Sequence, residues 1–200
     1  NPENSEVGKL MVKKSIDLIY ELGFEQFTIK KLAIEINSTE ATIYRYFENK
    51  HAILLYILNW YWCYMEFLVM FKLQNNSDKH EKLKIIIDLL THELPESSGQ
   101  FEYNKKYLNH IVIAESSKVY LVKDVLEINK NEVFKPYKEL CEKIASIILE
   151  NKPDYQYARS LSTTLIETAH QQQFFSVYLP KLTDAPTKKQ NTEFTSLFLH

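Results

Sequence analysis

Glycine is nearly missing from this chain, with three in 200 residues, and proline is sparse at six. So few residues suited to tight or left-handed turns disfavour the turn-rich all-β architectures and the Gly-cradled dinucleotide folds, and the expectation is an all-α chain. Cysteine is scarcer still: Cys63 and Cys141 lie far apart in helical patterns and form no CxxC. That pattern suggests neither a disulfide framework nor a zinc site, and it fits a reducing cytoplasm. There is no excess of positive charge either. Against 24 Lys and Arg stand 26 Asp and Glu, a net charge of -2, so any contact with nucleic acid has to be local. Catalytic grammar is missing as well: no Gly-rich phosphate loop, no HExxH, no GxSxG and no clustered ligands among the six histidines. An enzyme, a metal centre and a cofactor are therefore not expected. No cationic stretch followed by a short apolar core and a small-residue cleavage site opens the sequence, so secretion is not expected.

What is present is an ordinary globular composition, 45% hydrophobic and 25% charged. Its longest apolar run, from Ala52 to Phe71, is about the length that spans a bilayer. Asn59 and Glu66 interrupt it, however, and Trp and Tyr occupy its middle as well as its ends. A central carboxylate alone costs about 2.5 to 3.5 kcal/mol on insertion scales, so the run is expected to be a buried core helix and no membrane partner is expected.

Apolar spacing divides the chain into helices. The first runs from about Val7 to Leu22, with Val12, Ile16, Ile19 and Tyr20 on one face and Gly23 as its stop. Ile29, Leu32, Ala33 and Ile36 then trace a second stripe behind Thr28, a suitable N-cap. Asn37 stands where the chain needs a left-handed residue, and Thr39 can cap a third helix. In that helix Ile43 and Phe47 point one way, while Glu40, Ala41, Tyr44 and Arg45 share the opposite face. Two short helices around a tight turn are the layout of a helix-turn-helix. The free face could hydrogen-bond base edges and phosphates, or it could be a solvated helix of an ordinary bundle.

A fourth helix, from His51 to about Leu73, ends at the polar Gln74-Asn75-Asn76-Ser77, a natural hinge between a head and a body. The body is expected to hold helices near Lys79 to Leu94, Tyr103 to Lys118, Val133 to Glu150, Tyr155 to Leu179 and Lys188 to Leu199. Between Val119 and Asn131 the pattern is ambiguous, and the all-α context favours helix or loop over strand.

The stretch from Thr28 to Leu54, above all Ala41-Thr42-Ile43-Tyr44-Arg45-Tyr46-Phe47-Glu48-Asn49-Lys50, resembles the DNA-binding signature of TetR-family transcriptional regulators. The likeness extends upstream through Ile16 to Phe27 and covers about the first quarter of the chain. It implies an N-terminal three-helix head with a helix-turn-helix, over residues 1–50, and a helical ligand-binding and dimerisation body, over 51–200. It also implies that the protein is a repressor in the cytoplasm, a homodimer on a palindromic operator in double-stranded DNA, released by a small apolar or amphipathic effector. The alternative is a helical ligand-binding protein whose head no longer reads DNA.

Residue by residue, the resemblance carries DNA contacts to Thr28, Lys30, Glu40, Ala41, Thr42, Tyr44, Arg45, Tyr46 and Lys50. The hydroxyls and Lys50 suit phosphates; Lys30, Glu40 and Arg45 suit base edges, and Ala41 a thymine methyl. Glu40 could equally serve the dipole of its own helix, and Tyr46 could be packed. In the body, polar residues sit inside apolar stripes: Asn59, Glu66 and His110, then Glu167, His170 and Gln171. Together with the aromatic Trp62 and Tyr107 they are the candidate effector site, with mutual pairing as the plain alternative. Leu161, Leu165, Gln172, Phe175 and Leu179 form a seam at 3.5-residue spacing, and Phe194, Leu197 and Phe198 a second apolar face. These are the candidate dimer surfaces.

Overall fold

The computed structural model describes residues 1–92, 103–121, 123, 125, 129 and 133–184. Helices α1 to α4 occupy Glu6–Leu22, Ile29–Glu35, Glu40–Tyr44 and Lys50–Leu73, and no strand occurs among the described residues. Short hydroxylic caps set the helix starts, Thr28 and Thr39 as expected and Ser5 as a third. Ser5 Oγ accepts from the Gly8 amide at 3.0 Å, Thr28 Oγ1 from Lys31 at 3.2 Å and Thr39 Oγ1 from Thr42 at 3.3 Å. Gly23 ends α1 with φ at 77° and Asn37 turns between α2 and α3 with φ at 50°, the left-handed conformation its place in the sequence calls for.

Two compact units emerge: Asn1–Tyr61 with Leu94–Val133, and Trp62–Glu93 with Phe134–His200. In the first, α1 buries Met11, Val12, Ile16 and Ile19 and packs against α6 (Lys105–Glu115), which is followed by the single turn α7 (Ser117–Tyr120). Tyr20 stacks on Tyr107 with centroids 3.8 Å apart, and Tyr61 donates to Asn109 Oδ1 at 3.1 Å. A 3-10 turn at Pro2–Asn4 closes over this unit. Glu3 Oε1 accepts from Tyr56 at 2.9 Å and from Tyr103 at 2.7 Å, and a Cβ on Gly8 would stand 2.2 Å from the Pro2 carbonyl oxygen, so only glycine fits there.

The second unit holds the end of α4, α5 (Lys79–Thr91), α8 (Lys135–Asn151) and α9 (Ala158–Tyr178). Helix α9 packs against α8 and α5: Ser162 donates to the Cys141 carbonyl at 2.8 Å and Gln173 to the Leu90 carbonyl at 2.8 Å. As expected for a core helix, more than half of the most apolar stretch of α4 is buried in the protein, Ile57, Leu58, Trp62 and Val69 completely.

Where one helix was expected from Tyr103 to Lys118 there are two, broken at Ser116, a residue type of weak helix propensity. The last long helix begins at Ala158 and not Tyr155, because Pro153 cannot extend α8 and the chain turns there, Tyr155 donating to the Lys152 carbonyl at 3.1 Å. The helix expected from Lys188 to Leu199 and most of the ambiguous segment before Val133 lie outside the described residues.

Candidate nucleic-acid interface

The helix-turn-helix is built from its buried side outward. Leu32, Ile43 and Phe27 are fully buried and Phe47 nearly so, which fixes the short α3 by its inner face. The outer face follows from that. Glu40, Ala41, Tyr44 and Arg45 are all exposed, as are Thr28 and Lys30, while Thr42 is half-buried with its hydroxyl 3.0 Å from that of Thr39. Arg45 lies just beyond the last residue of α3, still in helical conformation.

Charge on this surface is selectively left free. Lys14 is paired with Glu35 at 2.8 Å, which raises its pKa, and Lys31 donates to the Gln26 carbonyl at 2.8 Å. Lys30 and Arg45 make no ion pair among the described residues, so both can be offered to an anionic partner at no loss of an internal contact. Two other candidates are already engaged. The Tyr46 hydroxyl lies 2.9 Å from Ser5 Oγ, and Lys50 donates to the carbonyls of Phe24 and Glu25 at 3.0 and 3.3 Å while lying over the Phe24 ring.

Residues 12–57, which contain α2, α3 and the start of α4, match the family model described as bacterial regulatory proteins, tetR family. The head is similar to the helix-turn-helix domain of the TetR family. No curated protein matches the chain. Among solved structures, the fatty acid degradation regulator FadR from Bacillus halodurans superposes with a TM-score of 0.63 at 17% identity, over 98% of this chain and 95% of that one. AibR, solved with isovaleryl coenzyme A and operator DNA, gives 0.64 at 12% identity, over 94% and 95%. The superantigen PfiT gives 0.65 at 16%, over 98% and 97%. At these identities the likeness shows that the TetR-like fold extends through the body, and the range of activities carried by that fold leaves function to the sites.

The candidate effector residues fall into both units. Asn59, Tyr107 and His110 belong to the first, where Tyr107 stacks on Tyr20 and His110 meets the Tyr20 ring edge-on at 5.0 Å. Trp62, Glu66, Glu167, His170 and Gln171 belong to the second. There His170 is buried and stacks on Trp62 at 5.5 Å, Tyr137 packs on the other contact of Trp62 at 4.6 Å, and the Tyr137 hydroxyl donates to Glu167 at 2.9 Å. Burial alone pushes the His170 pKa down to about 4. Glu66 is half-buried, and burial with the nearby Glu139 raises its pKa, whereas Glu167 and Gln171 are exposed. A shallow apolar cleft in the second unit, between α5 and α9, is lined by Ile87, Leu90, Thr91, Leu165 and Ala169 and has no room for even a water molecule. None of these belongs to the candidate effector set.

Along the candidate seam, Leu161, Leu165, Gln172 and Phe175 are half-buried and Leu179 is exposed, next to the exposed Val177 and Tyr178. Gln172 accepts a hydrogen bond from Thr183, which holds it within the chain. Phe194, Leu197 and Phe198 lie outside the described residues. The tie of Tyr46 to Ser5 and of Lys50 to the 24–25 carbonyls had no signal in the sequence, because neither pairing follows a helical or strand period.

Proposed function

We propose that this protein is a DNA-binding transcriptional regulator, a repressor that binds a palindromic operator as a homodimer and leaves it when a small apolar or amphipathic effector binds the body. The observation that carries the reading is the outer face of α3: a capped, internally anchored helix in a domain similar to that of the TetR family presents a carboxylate, a methyl, a phenol and an unpaired guanidinium together. Residues 1–50 serve as the DNA-binding head and 51–200 as the regulatory body, in the cytoplasm. Thr28, Lys30, Glu40, Ala41, Thr42, Tyr44, Arg45, Tyr46 and Lys50 make the DNA contacts, with phosphates taken by the hydroxyls and Lys50. Two copies are required because one recognition helix offers too few base contacts for high specificity, and two-fold symmetry doubles them. FadR is a regulator of fatty acid degradation and AibR has been seen with an acyl coenzyme A and operator DNA, which supports an apolar or amphipathic effector here.

Fluorescence anisotropy with a duplex spanning the DNA upstream of its own coding sequence, against a random duplex of equal length, tests the first half of the reading. Preference for the first by a factor of about 10³ or more is expected, and equal affinity for both would reduce the head to a nonspecific or inactive one. For the second half, a ligand found by thermal-shift screening is titrated with and without that duplex. Linkage requires DNA to weaken ligand binding by the same factor by which the ligand weakens DNA binding, about 1 to 3 kcal/mol of coupling. Identical ligand affinity in both conditions would eliminate induction.

A further inference from the structure

The turn that feeds the helix-turn-helix is gripped from outside it. Between the end of α1 and Thr28, the Phe24 ring is buried, and the Phe24 amide, the Phe24 and Glu25 carbonyls and the Glu25 carboxylate are all held from other elements. The Phe24 amide donates to Glu115 Oε1 at 3.3 Å. The carbonyls of Phe24 and Glu25 accept from Lys50. The Glu25 carboxylate lies 2.7 Å from the Lys118 ammonium, which also lies 2.8 Å from Glu115 Oε2 as an ion pair. Both ammonium groups stand over the Phe24 ring, Lys50 at 4.6 Å and Lys118 at 5.6 Å. Glu115 is the last residue of α6 and Lys118 sits in α7, so one half of this clamp comes from α6 and α7 and the other from the first residue of α4.

Cohesion alone does not ask for charges here, since apolar groups of similar volume serve a packed contact as well or better. What a carboxylate on a backbone amide supplies is position, through a directional, charge-assisted bond. Glu115 is mostly buried and serves the Phe24 amide and Lys118 at once, so a shift of the α6 tail withdraws both contacts together. Within the cluster, the hydrogen bond from Lys118 holds the Glu25 carboxyl below its usual range. Burial pulls on the Lys118 ammonium in the opposite sense, but the two carboxylates outweigh it and its pKa is raised.

We propose that Glu115 and Lys118 are positioning residues that hold the 24–25 turn, and with it α2 and α3, in the arrangement that reads DNA, so that a displacement of α6 and α7 is delivered directly to the helix-turn-helix. Only the DNA-binding arm of the test rests on the reading under Proposed function.

Hydrogen exchange on the full chain, followed by mass spectrometry, addresses the clamp without DNA. Glu115→Ala should speed exchange in the peptide covering the turn and α2 by about tenfold or more while α8 and α9 keep their rates. Lys118→Met, which retains the apolar stem, should do the same by a smaller factor, and Glu115→Gln, which keeps an acceptor for the Phe24 amide, should fall between wild type and Ala. The deciding variant is the charge-reversed pair Glu115→Lys with Lys118→Glu. It restores an i,i+3 ion pair but sets an ammonium against the Phe24 amide and a carboxylate against Glu25. It should exchange as fast as Glu115→Ala. A return to the wild-type rate would mean that the pair only staples α6 to α7, and that result, or an unchanged turn in Glu115→Ala, overturns the proposal. On the upstream duplex described above, Glu115→Ala should lose about tenfold in affinity, with little change on the random duplex. Full affinity of the variants for a duplex that the wild type selects would also overturn it. A wild type that selects neither duplex would remove the DNA-binding reading and leave the exchange rates to decide the clamp.

Discussion

Arg45 and Lys50 sit five residues apart, yet the structure gives them different tasks. Arg45 has no internal ion pair among the described residues and can spend its full fork on a base. Its replacement by Ala should cost about 1 to 3 kcal/mol at one operator position and relax preference there, with little change on random DNA. Equal losses on both would move Arg45 to the backbone. Two of the donors of Lys50 are taken by carbonyls, leaving one for a phosphate. Lys50→Ala should therefore make the salt slope shallower by about one unit on either duplex, readable from anisotropy at a series of salt concentrations, and any loss beyond that should fall on the upstream duplex alone, because the same substitution releases the 24–25 turn.

His170 sets a residue-scale limit on acid stability. Its folded pKa, near 4, lies below the ordinary value of 6.5, so the unfolded chain binds the proton more tightly. The sign follows: stability is complete above about pH 6.5, falls as pH drops toward 4 and levels off below, by about 3 kcal/mol in all. Paired carboxylates such as Glu142, whose pKa Arg159 lowers, lose their contribution only further into acid. Denaturant titrations at pH 7 and 5 should show the loss, and His170→Gln should flatten it. An unchanged slope between those pH values in the variant would assign the effect elsewhere.

At the scale of the element, caps and stripes explain what the sequence disclosed. The Thr28 and Thr39 caps, the left-handed Asn37 and the inner face of α3 were legible because each is a local rule satisfied within four residues. The packing of α6 on α1, and the hold of Glu115 and Lys118 on the turn, were not, since an ion pair between distant elements leaves no periodic trace. Burial of the polar residues in the body was not legible from their spacing either. His170 proved buried, but Glu167 and Gln171, drawn from the same helix, face outward. Ser5 shows how one short side chain can serve two elements, capping α1 and meeting Tyr46 beyond α3. Ser5→Ala should lower stability by about 1 to 2 kcal/mol and Tyr46→Phe by about half of that, measured by chemical denaturation. Equal losses in the two variants would mean that the cap contributes nothing of its own.

For the whole molecule, the proposed homodimer is tested at the end of α9. The exposed Leu179, with Val177 and Tyr178 beside it at the end of α9, leaves apolar surface that a second copy could cover. Phe175→Glu and Leu165→Glu should each loosen a dimer in light scattering and abolish operator binding with it. Intact dimers in both would place the interface elsewhere. Leu165 also lines the small cleft, so a loss confined to that variant would speak of packing inside the subunit.

The hold of Glu115 on Phe24 has a consequence for how the protein is made. The two residues are 91 positions apart, so during synthesis the turn is complete long before the group that fixes it exists. At about 5 to 20 residues per second, a nascent head waits roughly 5 to 20 seconds for that carboxylate. During that interval water stands in for the carboxylate at the Phe24 amide, and the turn of the newborn head is held by Lys50 alone.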